Sequence, residues 1–151
     1  MNIANRDLPQ QAALARMHAT IESLVPVFEQ RATRAREDRR VPEESIAELR
    51  EAGFFKIFQP LRHGGFEADP REFFRAQQKI AEGCMSTAWA GGIISVHAFQ
   101  LALFDERAQQ EVWSSSACIS SIAMSAREAI SCVCESPASF VGSLLERFCA
   151  P

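Results

Sequence analysis

Several kinds of sequence signal are missing from this chain, and each absence narrows what it can be. Basic residues are not in excess: 16 lysines and arginines stand against 19 aspartates and glutamates. A net charge of −3 gives no footprint for a nucleic-acid backbone, so no nucleic-acid partner is expected. The one basic cluster, Arg31 to Arg40, is interrupted by Glu37 and Asp38 and reads as the solvated end of a helix. The opening residues MNIANRDLPQQ lack a positive region followed by an apolar run. No secretory signal is expected, and a cytoplasmic location follows by default. No apolar stretch is long and uninterrupted enough to span a membrane, so no membrane partner is expected. There is no GxGxxG, Walker loop, HExxH, GxSxG or paired-carboxylate constellation. The cysteines at 84, 118, 132, 134 and 149 are unevenly placed, and Cys132 and Cys134 are separated by one residue, not the two of a zinc knuckle. With no histidine nearby, the thiols read as reduced and no metal site is expected.

What is present is helical patterning. Leu14, Met17, Ile21, Leu24, Phe28 and Ala35 recur at helical spacing and mark one face of a long amphipathic helix from Ala12 to about Arg36. Pro26 lies inside it and lacks an N–H, which predicts a kink or a break. His18 falls on the polar side of that helix and reads as solvated. Pro42, Glu43 and Glu44 announce a second helix, with Ile46 and Leu49 on its buried face and Gly53 as its stop. The aromatic segment FFKIFQP reads as an extended piece or a single turn. The loop after it carries His63, which reads as solvated, and Gly64-Gly65, which permit a tight turn or close approach of another backbone. Asp69, Pro70 and Glu72 form a helix start for a segment presenting Phe73, Phe74, Ala76, Ile80 and Ala81 and stopping near Gly83.

The stretch CMSTAWAGGIISVHAFQLALF, from Cys84 to Phe104, is different in kind. Ser86 or Thr87 can cap a helix start, and beyond them apolar or small residues fill almost every position. With no polar face, the segment reads as a helix buried on most sides. It carries one ionisable group, His97, with Trp89 two turns before it. Gly91-Gly92 each cost about 1 kcal/mol in a helix relative to alanine, so a close-packed helix or a flat ligand is expected there. Trp89, His97 and this glycine pair are candidate lining for one side of a pocket, although a core tryptophan and a satisfied core histidine fit the same pattern. Asp105 then caps a short fifth helix ending at Val112-Trp113. Five helical segments and no strand pair make an all-α domain.

After Trp113 the character of the chain changes. Ten of the last 38 residues are serine, against four in the preceding 113. Periodicity is weak there, with Ser125–Ile130 or Phe140–Phe148 the only helix candidates, and the segment reads as a low-complexity tail. The expected division is therefore a helical domain over 12–113 and a disordered, non-homologous tail over 114–151.

The ordered set Arg40-x-Pro42, Gly53-Phe54, Gln59-Pro60, Gly64-Gly65, Ser86-Thr87-x-Trp89, His97, Leu103-Phe104 and Glu111-x-Trp113 resembles the N-terminal helical domain of the acyl-CoA dehydrogenase superfamily. Within that superfamily it is most similar to the two-component flavin-dependent aromatic monooxygenases. These include 4-hydroxyphenylacetate and 3-hydroxy-9,10-secoandrostatriene-dione hydroxylases. The resemblance covers residues 12–113 and breaks at Trp113, after which residues from about 114 onward are expected to be out of frame or otherwise non-homologous.

The resemblance implies an oxygenase component using reduced flavin (FMN or FAD) and O2, with no metal. A separate NADH-dependent reductase would supply the flavin, the substrate would be a small phenol, and the intact assembly would be a homo-oligomer. By the same resemblance, Trp89 lies against the flavin. His97 lies beside the phenol and holds or deprotonates it, which raises the electron density of the ring to be hydroxylated. Two alternatives stay open: an acyl-CoA dehydrogenase of the same fold, and a non-catalytic helical module that associates with itself or with full-length subunits. Whether this chain is itself an active enzyme is left open.

Overall fold

The computed structural model describes residues 7–114. These contain five α-helices, α1 (Asp7–Glu37), α2 (Glu43–Glu51), α3 (Pro70–Gly83), α4 (Met85–Ala102) and α5 (Glu106–Ser114), with short 3-10 turns at Phe54–Lys56 and Leu61–His63. There is no strand among the described residues, and the all-α expectation holds. No helix among them is long and apolar enough to cross a membrane. The chain divides into two compact units, one through residue 102 and one from residue 103. The expected tail over 114–151 lies outside the described residues apart from Ser114, the last residue of α5.

Helix α1 buries Met17, Ile21, Phe28 and Ala35, with Leu14 and Leu24 half-buried, along the face that the spacing marks. It runs unbroken through Pro26. Pro26 and Glu22, the residue whose carbonyl loses its helical partner, are both exposed, so water can satisfy that oxygen and the helix continues.

At the other end of the basic cluster the expected solvated surface holds only in part. Arg31 reaches across to α2 and donates from Nη1 and Nη2 to the two carboxylate oxygens of Glu48 at 2.6 and 3.0 Å, and from Nη1 to Ser45 Oγ at 3.2 Å. The hydrogen bond to Glu48 raises the guanidinium above its already high ordinary value.

Helix α2 starts one residue later than the sequence suggests, with Pro42 as its cap rather than its first residue. Leu49 is fully buried, as expected, but Ser45 shares that burial while Ile46 is only half-buried. Gly53 ends the helix in the left-handed region at φ +87°, its N–H donating to the Arg50 carbonyl at 3.0 Å. The aromatic segment that follows forms a 3-10 turn, the turn alternative, and places Phe54 and Ile57 in the core.

The next loop is held against this turn: the N–H groups of Phe66 and Ala68 donate to the carbonyls of Lys56 and Ile57, at 2.8 and 2.9 Å. Gly65 is packed so tightly here that a Cβ would stand 2.0 Å from the Gln59 carbonyl oxygen. Of the two alternatives that Gly64-Gly65 permit, close approach of another backbone is the one realised at Gly65.

Helix α3 begins as its sequence dictates. Asp69 accepts from the Arg71 N–H at 2.8 Å, and Pro70 occupies the first turn. The Arg71 guanidinium first, and its backbone N–H second, hold the Asp69 carboxyl below its ordinary value. Phe73, Ala76 and Ile80 are buried and Ala81 half-buried, but Phe74 is 59% exposed. His18 is not solvated either: its Nε2 lies 2.7 Å from Glu72 Oε2 of α3, in a half-buried pair joining α1 to α3.

In the second unit, Asp105 caps α5 by accepting from the Arg107 N–H at 2.9 Å, as expected.

Candidate functional site

Helix α4 is set by its small residues. A single extended residue, Cys84 (φ −154°, ψ 110°), links it to α3, so the helix begins at Met85, ahead of the expected Ser86 or Thr87 cap. Its inner face consists of Thr87, Ala88, Gly91, Gly92, Ser95, Ala98 and Leu101, all buried. A Cβ on Gly91 would meet Leu49 Cδ1 at 3.2 Å and Phe54 Cε1 at 3.3 Å, and one on Gly92 would meet Gln77 Nε2 at 2.5 Å. The glycine pair therefore admits protein neighbours, from α2, the aromatic turn and α3. Gly83 does the same one helix earlier, where a Cβ would stand 2.4 Å from the Val25 carbonyl of α1. The sequence marks Gly83 only as a helix stop.

The outer face of α4 is the larger departure from expectation. The segment is apolar all round, but only half of it is covered. Met85, Trp89, Ile93, Val96 and Phe99 recur at spacings of three and four and are all exposed, Trp89 at 68%. His97 is exposed as well, not a buried core residue. It stands eight residues beyond Trp89, which is about 12 Å along a helix axis.

Four of these side chains, Trp89, Ile93, Val96 and Phe99, form one wall of an open groove of about 370 Å³. The facing wall comes from Phe58, Pro70, Phe73, Phe74 and Gln77, and Gly92 lies between them. The rings form a connected series: Phe54 stacks on Phe73 at a centroid distance of 5.7 Å, Phe58 lies 4.8 Å from Phe73 and 5.3 Å from Phe99. Buried core thus grades into groove wall without a gap. No charged side chain lines the groove, and Gln77 is its one polar side chain.

Of the residues singled out in sequence, Trp89 and Gly92 line this groove and His97 does not. The imidazole of His97 stands beside it, with Nδ1 3.0 Å from Gln100 Oε1. His63 is half-buried in its 3-10 turn, and its Nε2 lies 3.3 Å from the Arg62 Nε that donates to it. The other eight residues that line the groove, Phe58 and Gln77 among them, are not marked as a site by the sequence. The doubled phenylalanine at 73–74 is the one signal that could have pointed to part of it, since two adjacent helical positions cannot both face the same core. Among the described residues no group of three or more histidine, cysteine, aspartate or glutamate side chains is placed to hold a metal ion.

The helical domain has known counterparts. Residues 10–119 match the acyl-CoA dehydrogenase, N-terminal domain family, and the chain belongs to it. Among individual proteins, it is 44% identical over 93 residues to the flavin-dependent monooxygenase, oxygenase subunit HsaA, of Rhodococcus jostii, a match covering 62% of this chain and 24% of that protein. It is 36% identical over 93 residues to the p-hydroxyphenylacetate 3-hydroxylase, oxygenase component, of Acinetobacter baumannii, covering 62% and 22%. The crystal structure of the HsaA monooxygenase from M. tuberculosis superposes with a TM-score of 0.66 at 41% identity, covering 68% of this chain and 28% of that one. The chain thus spans about a quarter of the length of the relatives it matches.

Proposed function

We propose that this chain is the N-terminal part of an oxygenase component of a two-component flavin-dependent monooxygenase, which hydroxylates a phenolic substrate with reduced flavin and O2. The observation that carries the reading is the joint presentation of Trp89 and His97 on the outer face of α4, in a chain that is 44% identical over 93 residues to a named oxygenase subunit. Reduced flavin would come from a separate NADH-dependent reductase, a reading supported by the likeness to proteins named as oxygenase subunits and components.

The residues present fit one part of a flavin. The groove offers flat, apolar surfaces, and Trp89, with the rings of Phe74 and Phe99 near it, would hold one face of a planar ring system. The flavin's negatively charged phosphate has no cation to meet there, because no charged side chain lines the groove. When bound, the reduced flavin would supply the two electrons that activate O2, one oxygen atom going to the ring and the other leaving as water. The chain's own contribution lies with His97. An imidazole can accept the phenol proton near neutral pH, leaving a phenolate whose ring carbon beside the oxygen is richer in electrons.

In a protein carrying the full length of the relatives, His97→Ala is expected to lower hydroxylation by about 10²-fold or more while changing flavin affinity far less. Equal losses in both, or unchanged hydroxylation, would overturn the role. The present chain, with no cation in its groove, is expected to bind reduced flavin weakly or not at all by anaerobic titration.

A second reading rests on the exposed row of Met85, Trp89, Ile93, Val96 and Phe99. A non-catalytic helical module would lay such a face on another subunit. Flavin titration of the longer protein separates the two, since only the oxygenase binds the reduced cofactor.

A further inference from the structure

Nothing in a helix requires an exposed histidine to hold one orientation or one tautomer. Free imidazole carries its neutral-state proton mostly on Nε2, the far nitrogen, and that form presents a donor where a general base needs a lone pair. His97 therefore needs help to serve as a base at Nε2, and the residue one turn along α4 is placed to give it. Nδ1 of His97 lies 3.0 Å from Oε1 of Gln100. Ile93, Ile94 and Leu101, the other side chains one turn from His97, offer no polar atom. Among the described residues, Nδ1 is the one ring nitrogen of His97 with a hydrogen-bond partner.

We infer that Gln100 is a positioning residue for His97: its side-chain oxygen accepts the Nδ1–H, fixes the neutral ring in the Nδ1–H tautomer, and turns the Nε2 lone pair outward to receive the substrate proton. This inference rests on the oxygenase reading for its purpose but not for its geometry. The proton balance is simple. The phenol O–H proton passes to Nε2, the ring becomes imidazolium, and Gln100 keeps its hold on the Nδ1–H throughout. A carboxamide suits the task because its oxygen accepts the Nδ1–H and orients the ring without adding a charge beside it.

The test is nitrogen NMR of the full 151-residue chain, with the histidine ring nitrogens labelled and the pH set well above the ordinary imidazole range. His97 is assigned by the signals lost in His97→Ala. The expected result is a majority Nδ1–H tautomer in the unaltered protein, an Nε2–H majority in Gln100→Leu, and return of the Nδ1–H majority in Gln100→Glu, which restores an acceptor oxygen. Gln100 is exposed, so these variants keep the fold. The tautomer of the unaltered protein decides the matter even without them. An Nε2–H majority there, or populations unmoved by Gln100→Leu, overturns the assignment. The measurement uses neither flavin nor phenol. A missing Nδ1–H tautomer therefore overturns the role of Gln100 alone, whereas hydroxylation surviving His97→Ala overturns the reading on which it rests.

Discussion

Three glycines with similar sequence settings have three different jobs, and the difference lies in what stands opposite. At Gly83 the opposing atom is the Val25 carbonyl oxygen, 2.4 Å from a built Cβ, and a backbone cannot step aside without moving α1. At Gly92 it is Gln77 Nε2, the free end of a flexible side chain on the groove wall. Gly91 lies between these extremes, against Leu49 and Phe54, which are fully buried and have little room to give. Gly83→Ala is therefore expected to lower unfolding free energy by about 1–3 kcal/mol through overpacking. Gly92→Ala is expected to be neutral or to gain up to about 1 kcal/mol, because helix propensity improves once Gln77 swings away. Denaturant titration of the two variants checks this, and equal losses in both would show that Gln77 is held as firmly as a backbone.

At the scale of the element, α3 is the helix whose behaviour with pH follows most directly from its start. The Asp69 carboxyl is held below its ordinary value by the Arg71 side chain and N–H. A carboxylate depressed on folding adds stability above its unfolded pKa, near 4, and that contribution is lost as the pH falls through the lower folded value. Asn at the same position caps a helix equally well but does not titrate. Asp69→Asn is thus expected to lose less melting temperature than the unaltered protein between about pH 5 and pH 2. Parallel melting curves over that range would mean the cap does not titrate with folding.

The same helix shows what a sequence states and what it leaves unsaid. Asp69-Pro70 and Gly53 declare a start and a stop because capping and left-handed backbone are local chemistry. Phe74 and His18 could not be placed, because their settings depend on neighbours far along the chain; the partner of His18 is Glu72. Pro26 predicts at most a kink or a break from local rules, yet exposure at Pro26 and Glu22 lets α1 pass through unbroken. Helix α4 is the clearest limit. Periodicity reveals a covered face by contrast with a polar one, and a helix apolar on all sides has no contrast to read. Trp89 and His97 stand out by residue type within that apolar run, but their exposure does not.

For the molecule as a whole, the exposed apolar row on α4 predicts an optical signature. Trp89 is 68% exposed, so with Trp113→Phe the remaining emission is expected at the long wavelengths of a solvated indole, readily quenched by iodide. A polarity-sensitive dye is expected to bind the same face and to lose most of its signal in Phe74→Ser combined with Trp89→Ser. Blue, quencher-resistant emission would show that the groove is covered in solution.

The walls of that groove have a property that bears on how the protein is made. Every side chain lining it lies between Phe58 and Phe99, and α1 and α2, which support those walls from behind, come earlier still. Cys84 alone joins the two helices that face each other, so Gln77 meets Gly92 across 15 residues of chain, and the widest ring contact of the groove, Phe58 to Phe99, spans 41. During synthesis the aromatic groove can therefore take shape as soon as Phe99 has cleared the ribosome, before any later segment exists to influence it.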